Sequence, residues 1–571
     1  MKAIKRILAI LVCLCVMCSG IALAVVADEP TGSITIQNPS HSNATVAGKT
    51  FNVYKIFNAT TSGTNTSYSW YEDENGEIPF YDFFYGANGI VEANKENGTA
   101  QEAVEKIAVI GNTNADPNDP NNFELSQFAE SLHQYILANG IETYIDPVVA
   151  SDSATFVNIP DLSYGYYLVY DNTDLTSDDT SVVRSAVMLS NVNKDAVITL
   201  KANRPQILKQ VEENNGTFGK GTSVSIGDIV TFKITTAVPS HTLYTTYQYY
   251  IEDTMHDGLE LDADSIKVYH NDALLAEGTD YTLTYPGGDV DFKVDFTASM
   301  NVKDKFATND SLTVEYDAKV TNGIEAQKAN QNTAKLVYSN DPTNDASTGN
   351  VSDSANVFSY QFVFTKYAQD TNGVLTNVRL AGAEFQLYRV VEGQADEKIT
   401  FTTETATNDE GAEYTKYIVA DNGDGTVDKL VVQDKGDATI TLDRLNMGGH
   451  LGDVFIFGLA EGTYKLVETK APDGYVLPDE PFVIEIVDEI GVLGSVGTLN
   501  VIGSHTGSGS IVNTTGIAES ILTVWADITN KPGTALPETG GMGTTLFTVV
   551  GIVLMAGAAA FFTSRKRSRE A

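Results

Sequence analysis

Three polar residues lie at strand positions where a hydrophobic side chain is expected. Successive residues of a strand point to opposite faces, so residues two apart share a face. In FVFTK, Lys366 shares a face with two phenylalanines; in TYKLVE, Glu468 shares one with a tyrosine and a leucine; in LTVWADITN, Asn530 follows a row of apolar residues. A lysine, a carboxylate and an asparagine are therefore predicted to point toward a core.

The same three residue types recur in the middle of the chain. Lys209 shares a face with apolar residues in ILKQV, Asp253 does so in YQYYIED, and Asn332 does so in NTAKLVY. One such placement would most simply be an accident at the edge of a strand. Two matched trios favour a functional arrangement.

Buried lysine, carboxyl and carboxamide groups can form an amide bond. Burial lowers the pKa of a lysine and raises that of a carboxylic acid, by up to about 3 to 5 units each. A neutral lysine is a nucleophile, and a protonated Glu468 or Asp253 can polarise the asparagine carboxamide while ammonia leaves. The product is an autocatalytic Lys–Asn isopeptide bond. The alternative is an unreacted, desolvated ion pair, which would cost stability.

The cysteine positions leave the predicted domains without disulfide bonds, so isopeptide bonds would serve to stabilise them. Cys13, Cys15 and Cys18 all lie within the first 27 residues, so the rest of the chain has no thiol for a disulfide. Cross-links within the two trios would close loops of 123 residues (209 to 332) and 164 residues (366 to 530). Each loop closure would contribute about 5 kcal/mol by the loop-entropy estimate.

Apolar and polar residues alternate with a period of two through most of the chain, in runs separated by Gly, Asn and Asp turns. We therefore expect β-strands to position the two trios. The sequence predicts an all-β protein of three tandem immunoglobulin-like β-sandwich domains. Between 100 and 140 the apolar spacing becomes helical and ends at Gly140, which predicts a helical insertion in the first domain. The predicted segments are 1–27, 28–200, 201–356, 357–533 and 534–571.

Both ends of the chain read as targeting segments. Residues 1–27 combine early basic residues, an apolar stretch and small residues, which is typical of a signal peptide. Residues 540–564 are uncharged, long enough for one membrane-spanning helix, and a basic tail follows. The motif directly before this helix is Leu536, Pro537, Glu538, Thr539 and Gly540. A permanent single-pass anchor is the alternative interpretation.

Charge and composition argue against several functions. Without 1–27 and 540–571 the chain has 29 basic and 74 acidic residues, a net charge of −45, which opposes binding to nucleic acid or anionic lipid. The sequence contains no recognisable catalytic or phosphate-binding motif, so an enzyme is not expected. The stretch 421–428, DNGDGTVD, lacks EF-hand spacing and is interpreted as an acidic turn. No metal ion or cofactor is predicted.

The C-terminal tail resembles the cell-wall sorting signal of Gram-positive surface proteins. This resemblance implies that a sortase cysteine attacks the carbonyl of Thr539, releases the segment from Gly540 onward, and transfers the chain to an amine. The whole chain resembles the major, or backbone, pilins of sortase-assembled pili. LAGAEFQLYR, YKLVETKAPDGY and DITNKP look like a collagen-adhesin B-type (CnaB, SpaA-like) domain, in which Lys366, Glu468 and Asn530 would be the isopeptide triad.

The middle of the chain is similar to the fimbrial isopeptide-forming second domain of such pilins, a CnaA-type sandwich in which Asp replaces Glu. The resemblance carries the triad onto Lys209, Asp253 and Asn332. Asn330 and Asn340 are close enough in sequence to remain alternative acceptors.

The first domain matches the pattern less well. GKTFNVYKIF and GYYLVYD look like early and late strands of a B-type domain, but Tyr170 stands in the place of the Glu. Lys55 is therefore interpreted as a core-edge lysine, and no bond is predicted there.

The family supplies the accepting amine from a pilin motif at the junction of the first two domains. Here the corresponding stretch is TLKAN with Lys201, which alternation places on the solvent face, although Thr-Leu replaces the family's Tyr-Pro. The resemblance implies a pilus shaft subunit on the cell wall, with these partners: polymerising and housekeeping sortases, other copies of the chain, minor pilins, peptidoglycan, and transiently the membrane. The alternative is a wall-anchored adhesin or minor pilin that does not form the shaft.

Overall fold

The computed structural model contains 32 strands in six sheets within the part of the chain that it describes, and the predicted all-β class is confirmed. The described residues are 30–39, 43–112, 125–176, 179–326, 328–407, 411, 413–421, 427–434, 451–486, 523–534 and 542–567. The sheets pack in pairs, which we call the first, middle and last sandwich in chain order.

The first sandwich has eight strands. They are β1 (Thr31–Gln37), β2 (Thr50–Ser62), β3 (Asn65–Trp70), β4 (Val148–Val149), β5 (Phe156–Ser163), β6 (Gly165–Asp171), β7 (Met188–Val192) and β8 (Ala196–Thr199). One sheet has the order β5-β1-β8, and the other has β3-β2-β6-β7 with β4 beside β2. Ile34, Val53 and Val169 belong to the buried core of this sandwich.

The predicted helical insertion is present and covers the outer face of the second sheet. Its helices are α1 (Tyr81–Tyr85), α2 (Ala100–Asn112) and α3 (Leu125–Asn139). A capping box starts α2, since Glu102 N donates to Thr99 Oγ1 and Thr99 N donates to Glu102 Oε2. Gly140, at φ 61°, ends α3 in a conformation that favours glycine. Phe84 and Leu132 fill a second core beneath the helices.

The middle sandwich has thirteen strands. They are β9 (Ile207–Glu212), β10 (Phe218–Gly219), β11 (Gly221–Ser223), β12 (Ile229–Ala237), β13 (Tyr249–Thr254), β14 (Leu259–Leu261), β15 (Lys267–His270), β16 (Ala273–Leu274), β17 (Thr282–Thr284), β18 (Phe292–Asp295), β19 (Ser311–Val320), β20 (Asn330–Ser339) and β21 (Thr348–Phe358), with the short helix α4 (Thr297–Met300) and a 3₁₀ turn at Ala263–Ser265. One sheet runs β10-β9-β12-β19-β15-β16 with β14 beside β19; the other runs β11-β21-β20-β13-β18-β17. Burial alternates strictly along β19, so every second residue faces the core.

The last sandwich has eleven strands. They are β22 (Tyr360–Gln369), β23 (Leu375–Arg379), β24 (Glu384–Arg389), β25 (Glu397–Lys398), β26 (Phe401–Thr407), β27 (Glu413–Val419), β28 (Leu430–Val431), β29 (Asp453–Leu459), β30 (Gly462–Lys470), β31 (Phe482–Ile486) and β32 (Thr523–Asn530). One sheet runs β23-β22-β29-β27-β26 with β32 beside β22; the other runs β25-β24-β30-β31 with β28 beside β24. The first and last strands, β22 and β32, are parallel neighbours.

Direct contacts join the first sandwich to the middle one. Arg184 N donates to Asn340 O at 2.8 Å, and the Arg184 guanidinium pairs with Asp341 at 2.7 Å. Tyr338 Oη donates to Ser181 O at 3.2 Å. The segment that precedes β7 is therefore fixed against the end of β20.

The middle and last sandwiches also touch. Ile226 N donates to Gly458 O, and Ala460 N donates to Ser225 Oγ at 2.8 Å. Gly458 has φ 90°, and a Cβ there would lie 2.5 Å from Ile226 Cδ1. The positive φ favours glycine at 458, and a Cβ there would require the end of the Ile226 side chain to move.

A final helix, α5 (Met542–Arg567), follows the sandwiches. Its segment Leu546–Arg565 has a mean hydropathy of 2.2 and is long and apolar enough to cross a membrane. None of that segment is buried against the rest of the protein.

Candidate functional site: two buried lysine clusters

In the last sandwich, Glu468 contacts both Lys366 and Asn530. Lys366 Nζ lies 2.8 Å from Glu468 Oε2, and Asn530 Nδ2 donates to Glu468 Oε1 at 2.9 Å. Asn530 Nδ2 also donates to Val476 O at 2.9 Å, which sets the orientation of the carboxamide. Lys366 and Asn530 have no exposed surface, and Glu468 is 6% exposed. The three residues that alternation singled out therefore form one buried group.

Strand pairing explains how residues so distant in sequence meet. β22 and β32 run parallel with Lys366 opposite Ile528, so Asn530 lies two positions along the neighbouring strand. Glu468 comes from β30 in the facing sheet, where burial alternates along the strand and places it inward. The carboxyl thus enters from one sheet and contacts the lysine and the asparagine of the other.

The surroundings of Lys366 disfavour charge. Its Nζ lies 5.0 Å from the ring centre of Phe385 and 5.3 Å from that of Phe482. Burial lowers the pKa of Lys366 to about 8, with the nearby Glu468 opposing the shift. Burial also raises the pKa of Glu468, although Lys366 acts in the opposite direction. Both shifts favour a neutral amine beside a protonated acid.

The middle sandwich holds the second trio with one addition. Lys209 Nζ forms a short contact with Asp253 Oδ2, and both residues have no exposed surface. Tyr316, in β19, donates from Oη to Asp253 Oδ1 at 2.9 Å. Asn332 Nδ2 donates to Tyr316 Oη at 2.7 Å. The cluster is therefore a group of four, and the tyrosine was not anticipated from sequence.

The sheets contribute differently here. Lys209 (β9) and Tyr316 (β19) belong to one sheet, and Asp253 (β13) and Asn332 (β20) belong to the facing sheet. Burial lowers the pKa of Lys209 and raises that of Asp253, while each residue's charge opposes the shift of the other. A lysine–asparagine link would join the two sheets of the sandwich.

The two alternative acceptors lie in other environments. Asn330 Nδ2 donates to the backbone carbonyls of Glu325 and Val357, and its Oδ1 accepts from Glu325 N. Asn340 donates to Val182 O at the contact with the first sandwich. Asn332 is the asparagine that joins the Lys209 cluster through Tyr316.

Both cluster carboxamides use their nitrogen in the same way. Asn530 Nδ2 faces Glu468, and Asn332 Nδ2 faces Tyr316, whereas the buried Oδ1 atom of each asparagine has no hydrogen-bond partner among the described residues. The sequence argument had the carboxyl polarise the carboxamide in general terms. In the structure Glu468 contacts the nitrogen of Asn530 and Tyr316 contacts that of Asn332, and this nitrogen is the atom that isopeptide formation would release as ammonia.

The first sandwich differs from its sequence interpretation. Lys55 is only 3% exposed, so it is a buried lysine and not one at the core edge. Its Nζ donates to Ser163 Oγ and lies 5.2 Å from the ring centre of Tyr144. Tyr170 does not face it: Lys55 is opposite Tyr167, and Tyr170 packs beneath the helices.

The side of β6 that faces the core of the first sandwich includes Asp171 and not Tyr170, which the sequence had placed there. Asp171, next to Tyr170, is fully buried and pairs with Lys49 at 2.7 Å. Asp171 also accepts from Ser185 N and Thr173 N. Sequence reasoning missed this pair, although an aspartate that ends the apolar run GYYLVYD was a usable signal.

Lys201 is exposed, as alternation predicts. It follows Leu200, which is 2% exposed, directly after β8. Its backbone is held because Lys201 N donates to Ser185 Oγ at 2.9 Å and Ala186 N donates to Lys201 O at 2.9 Å. The exposed Lys201 amine therefore extends from a hydrogen-bonded stretch of backbone, next to the contact between the first and middle sandwiches.

Several predicted features lie outside the described residues. They are the signal peptide at 1–27, the sorting motif Leu536 to Gly540, and most of the acidic turn 421–428. Within the described ranges, no group of three or more His, Cys, Asp or Glu residues is arranged to hold a metal ion.

Comparison with known protein families gave two matches. Residues 362–493 match the SpaA family, a prealbumin-like fold domain, and residues 528–570 match the LPXTG cell wall anchor motif. The comparison with curated proteins gave no significant match. The predicted SpaA-like domain and the predicted cell-wall location are thus confirmed.

Solved structures similar to this chain include several pilins. The T6 backbone pilin of serotype M6 Streptococcus pyogenes is 16% identical with a TM-score of 0.48, over 89% of this chain and 100% of that one. The major pilin SpaD of Corynebacterium diphtheriae is 16% identical with a TM-score of 0.42, over 89% and 98%. The pilus 2b backbone protein of group B streptococcus is 22% identical with a TM-score of 0.37, over 58% and 99%.

A SpaA domain followed by an LPXTG anchor is the arrangement that the resemblance to a backbone pilin predicts. Residues 362–493 thus form a SpaA-type domain, and the LPXTG anchor places the chain at the Gram-positive cell wall.

Proposed function

We propose that the chain is the shaft subunit of a covalently polymerised pilus, in which a sortase joins Thr539 of one copy to Lys201 of the next. The observation that carries this proposal is the distribution of lysines. Lys209 and Lys366 are fully buried beside carboxyl groups, whereas Lys201 is exposed on fixed backbone. In this proposal Lys209 and Lys366 serve bonds within one subunit, and Lys201 serves the bond between subunits.

The two ends of the proposed joint come from different parts of the sequence. Lys201 follows the last strand of the first sandwich, whereas Thr539 comes nine residues after Asn530, the last residue of β32, and nine residues span at most about 30 Å. Joining different surfaces of successive copies gives a heterologous contact that does not close, and such contacts produce filaments.

Intramolecular Lys–Asn isopeptide bonds are the second part of the proposal. Glu468 and Asp253 promote them as catalytic carboxyls, with Lys366 bonded to Asn530 and Lys209 bonded to Asn332. A bond between β22 and β32 passes tension from residue 366 directly to residue 530, so the strands between them carry no load. This arrangement suits a subunit that is pulled from both ends.

Three domains are proposed, at 28–200, 201–356 and 357–533, between a signal peptide (1–27) and a sorting segment (534–571). The pairing of sheets supports these boundaries, because strands of different sandwiches share no sheet in the described residues. The proposed partners are polymerising and housekeeping sortases, further copies of the chain, minor pilins and peptidoglycan, with α5 in the membrane until sorting.

Polymerisation is tested in cell-wall extracts of a Gram-positive strain that carries the gene and its sortases. Wild-type protein should give a ladder that resists SDS, and Lys201→Ala should reduce it to a monomer band. Lys194→Ala is the matched control, since Lys194 is also exposed and lies just before β8. A wild-type monomer band alone would contradict the shaft proposal, and tandem mass spectrometry should find Thr539 joined to Lys201.

The internal bonds are tested by intact mass. The sandwiches can be produced without α5, because its membrane-length segment packs against none of the described chain. Two ammonia losses of about 17 Da each should lower the mass by about 34 Da. An unshifted mass would reject both bonds.

An adhesive role is the second candidate function. A cleft of about 1210 Å³ in the first sandwich is lined by Trp70, Tyr81, Tyr85 and Tyr135 among others. Aromatic clefts are common ligand sites. A wall-anchored protein that binds a surface ligand and forms no ladder would favour this role over the shaft.

A further inference from the structure

The carboxyl side chains of the two buried clusters differ in length by one methylene group. Glu468 is long enough to contact Lys366 with one oxygen and Asn530 with the other. Asp253 contacts Lys209, but the Nδ2 of Asn332 donates to Tyr316 and not to Asp253. The tyrosine hydroxyl thus occupies the position between carboxyl and carboxamide that the longer glutamate spans alone.

The Tyr316 hydroxyl contacts every reacting group of its cluster. Lys209 Nζ and Asn332 Nδ2 each lie 2.7 Å from it, and Asp253 Oδ1 lies at 2.9 Å. Its ring packs between Phe232 and Phe292, with ring centres 5.6 and 4.8 Å away, which holds the hydroxyl in place. Tyr316 is 1% exposed, so water does not compete for these contacts.

The last sandwich offers a natural comparison. There the two rings beside the lysine are Phe385 and Phe482, neither of which carries a hydroxyl. In the middle sandwich the rings beside Lys209 are Phe232 and Tyr316. The shorter acid, Asp253, thus shares its cluster with a tyrosine, whereas the two rings beside the lysine of the longer acid, Glu468, are phenylalanines.

The proton transfers that formation of the bond requires give the Tyr316 hydroxyl a role. When the ammonium proton of Lys209 has passed to Asp253, the neutral amine attacks Cγ of Asn332, the new N–C bond forms, and the C–Nδ2 bond breaks. The amine keeps one hydrogen in the amide, and its other hydrogen must reach Nδ2 so that ammonia can leave. Tyr316 can accept that hydrogen from Nζ while giving its own to Nδ2, which leaves the tyrosine unchanged.

We infer that Tyr316 is a catalytic residue of the middle cross-link, relaying a proton from Lys209 to the departing nitrogen of Asn332. This inference rests on the proposed isopeptide function. A positioned proton donor of this kind contributes about 10² to 10⁴ in rate. The last sandwich needs no such residue, because Glu468 itself contacts both nitrogens.

Mass spectrometry of a Tyr316→Phe variant tests the inference. The middle bond should form at least about 100-fold more slowly, so freshly purified protein should lack the peptide cross-link between Lys209 and Asn332. The bond between Lys366 and Asn530 should form normally and serves as an internal standard. Tyr249→Phe is the matched control, because that buried hydroxyl is hydrogen-bonded to Thr236 and Ala237 and not to the cluster in the described part of the chain, so its loss should leave both bonds intact.

A second variant separates catalysis from folding. Adding Asp253→Glu to Tyr316→Phe supplies the missing methylene, so the bond should return without the tyrosine. Tyr316→Phe protein that forms the middle bond at the wild-type rate would overturn the inference. So would a double variant that resists protease like the wild type and still lacks the bond. Absence of the middle bond from wild-type protein would instead refute the proposed isopeptide function.

Discussion

Replacing Asn530 by alanine should remove the cross-link of the last sandwich, and its cost can be calculated. Losing closure of the loop from 366 to 530 should lower the free energy of unfolding by about 5 kcal/mol. The hydrogen bonds from Asn530 Nδ2 to Glu468 and Val476 belong to the unreacted state, because Nδ2 leaves as ammonia when the bond forms, so they add nothing to this figure. The expected loss is therefore about 5 kcal/mol.

The assay is guanidinium unfolding followed by fluorescence, together with intact mass on the same samples. The control is Gln369→Ala, because Gln369 is also on β22, is 5% exposed, and donates to Thr529 Oγ1 at 2.7 Å. It removes a buried amide without touching the cross-link, and we expect a loss of about 1 to 3 kcal/mol. A larger loss in Asn530→Ala than in Gln369→Ala is the expected contribution of the covalent loop.

Two results would refute this reasoning. One is an Asn530→Ala protein with the same mass deficit as the wild type, which would mean that another residue accepts Lys366. The other is an equal loss of stability in Asn530→Ala and Gln369→Ala, with the wild-type cross-link confirmed by mass. The second result would show that the loop contributes little to equilibrium stability and acts only under load.

Three further predictions follow from particular contacts. Glu468→Gln protein should weigh about 17 Da less than its own sequence mass, instead of about 34 Da less as for the wild type, because only the bond at Lys209 forms. The difference in free energy of unfolding between wild type and Asn530→Ala should narrow by roughly 3 kcal/mol from pH 8 to 10.5 in urea titrations. In this range unreacted Lys366, with its folded pKa lowered to about 8, has lost its proton while the unfolded chain still binds one, so the variant gains stability as the pH rises. A constant difference would contradict the lowered pKa. Gly458→Val should loosen the joint with Ile226 and make the segment between the middle and last sandwiches sensitive to protease, whereas unchanged cleavage would show that the joint tolerates a Cβ.

Much of the candidate site could be predicted from alternation alone. In a two-layer sandwich, parity decides which face of a strand enters the core, so a lysine or an asparagine of core parity is visible without coordinates. Lys209, Asp253 and Lys366 were located in this way, and each is buried. The outward position of Lys201 followed from the same rule.

The first sandwich shows where parity fails. Tyr170 was assigned the place of the glutamate by its position in GYYLVYD, but the inward residues of β6 are the odd-numbered ones and include Asp171. A bulge beside Lys55 accompanies this displaced register. One residue of slip moves every side chain to the other face, and sequence alone does not report such a slip.

The sequence by itself determined the all-β class, the C-terminal cell wall anchor, and the residue types of two buried trios, because these depend on local periodicity and composition. The tertiary structure decided that Lys366 and Asn530 lie on parallel neighbouring strands and that Lys209 and Asn332 face each other across two sheets, because packing sets pairing between distant strands. It also placed Tyr316 in the middle cluster. In the sequence SLTVEYDAKV that residue is an ordinary core tyrosine, and only three-dimensional proximity gives its hydroxyl a lysine, an aspartate and an asparagine as neighbours.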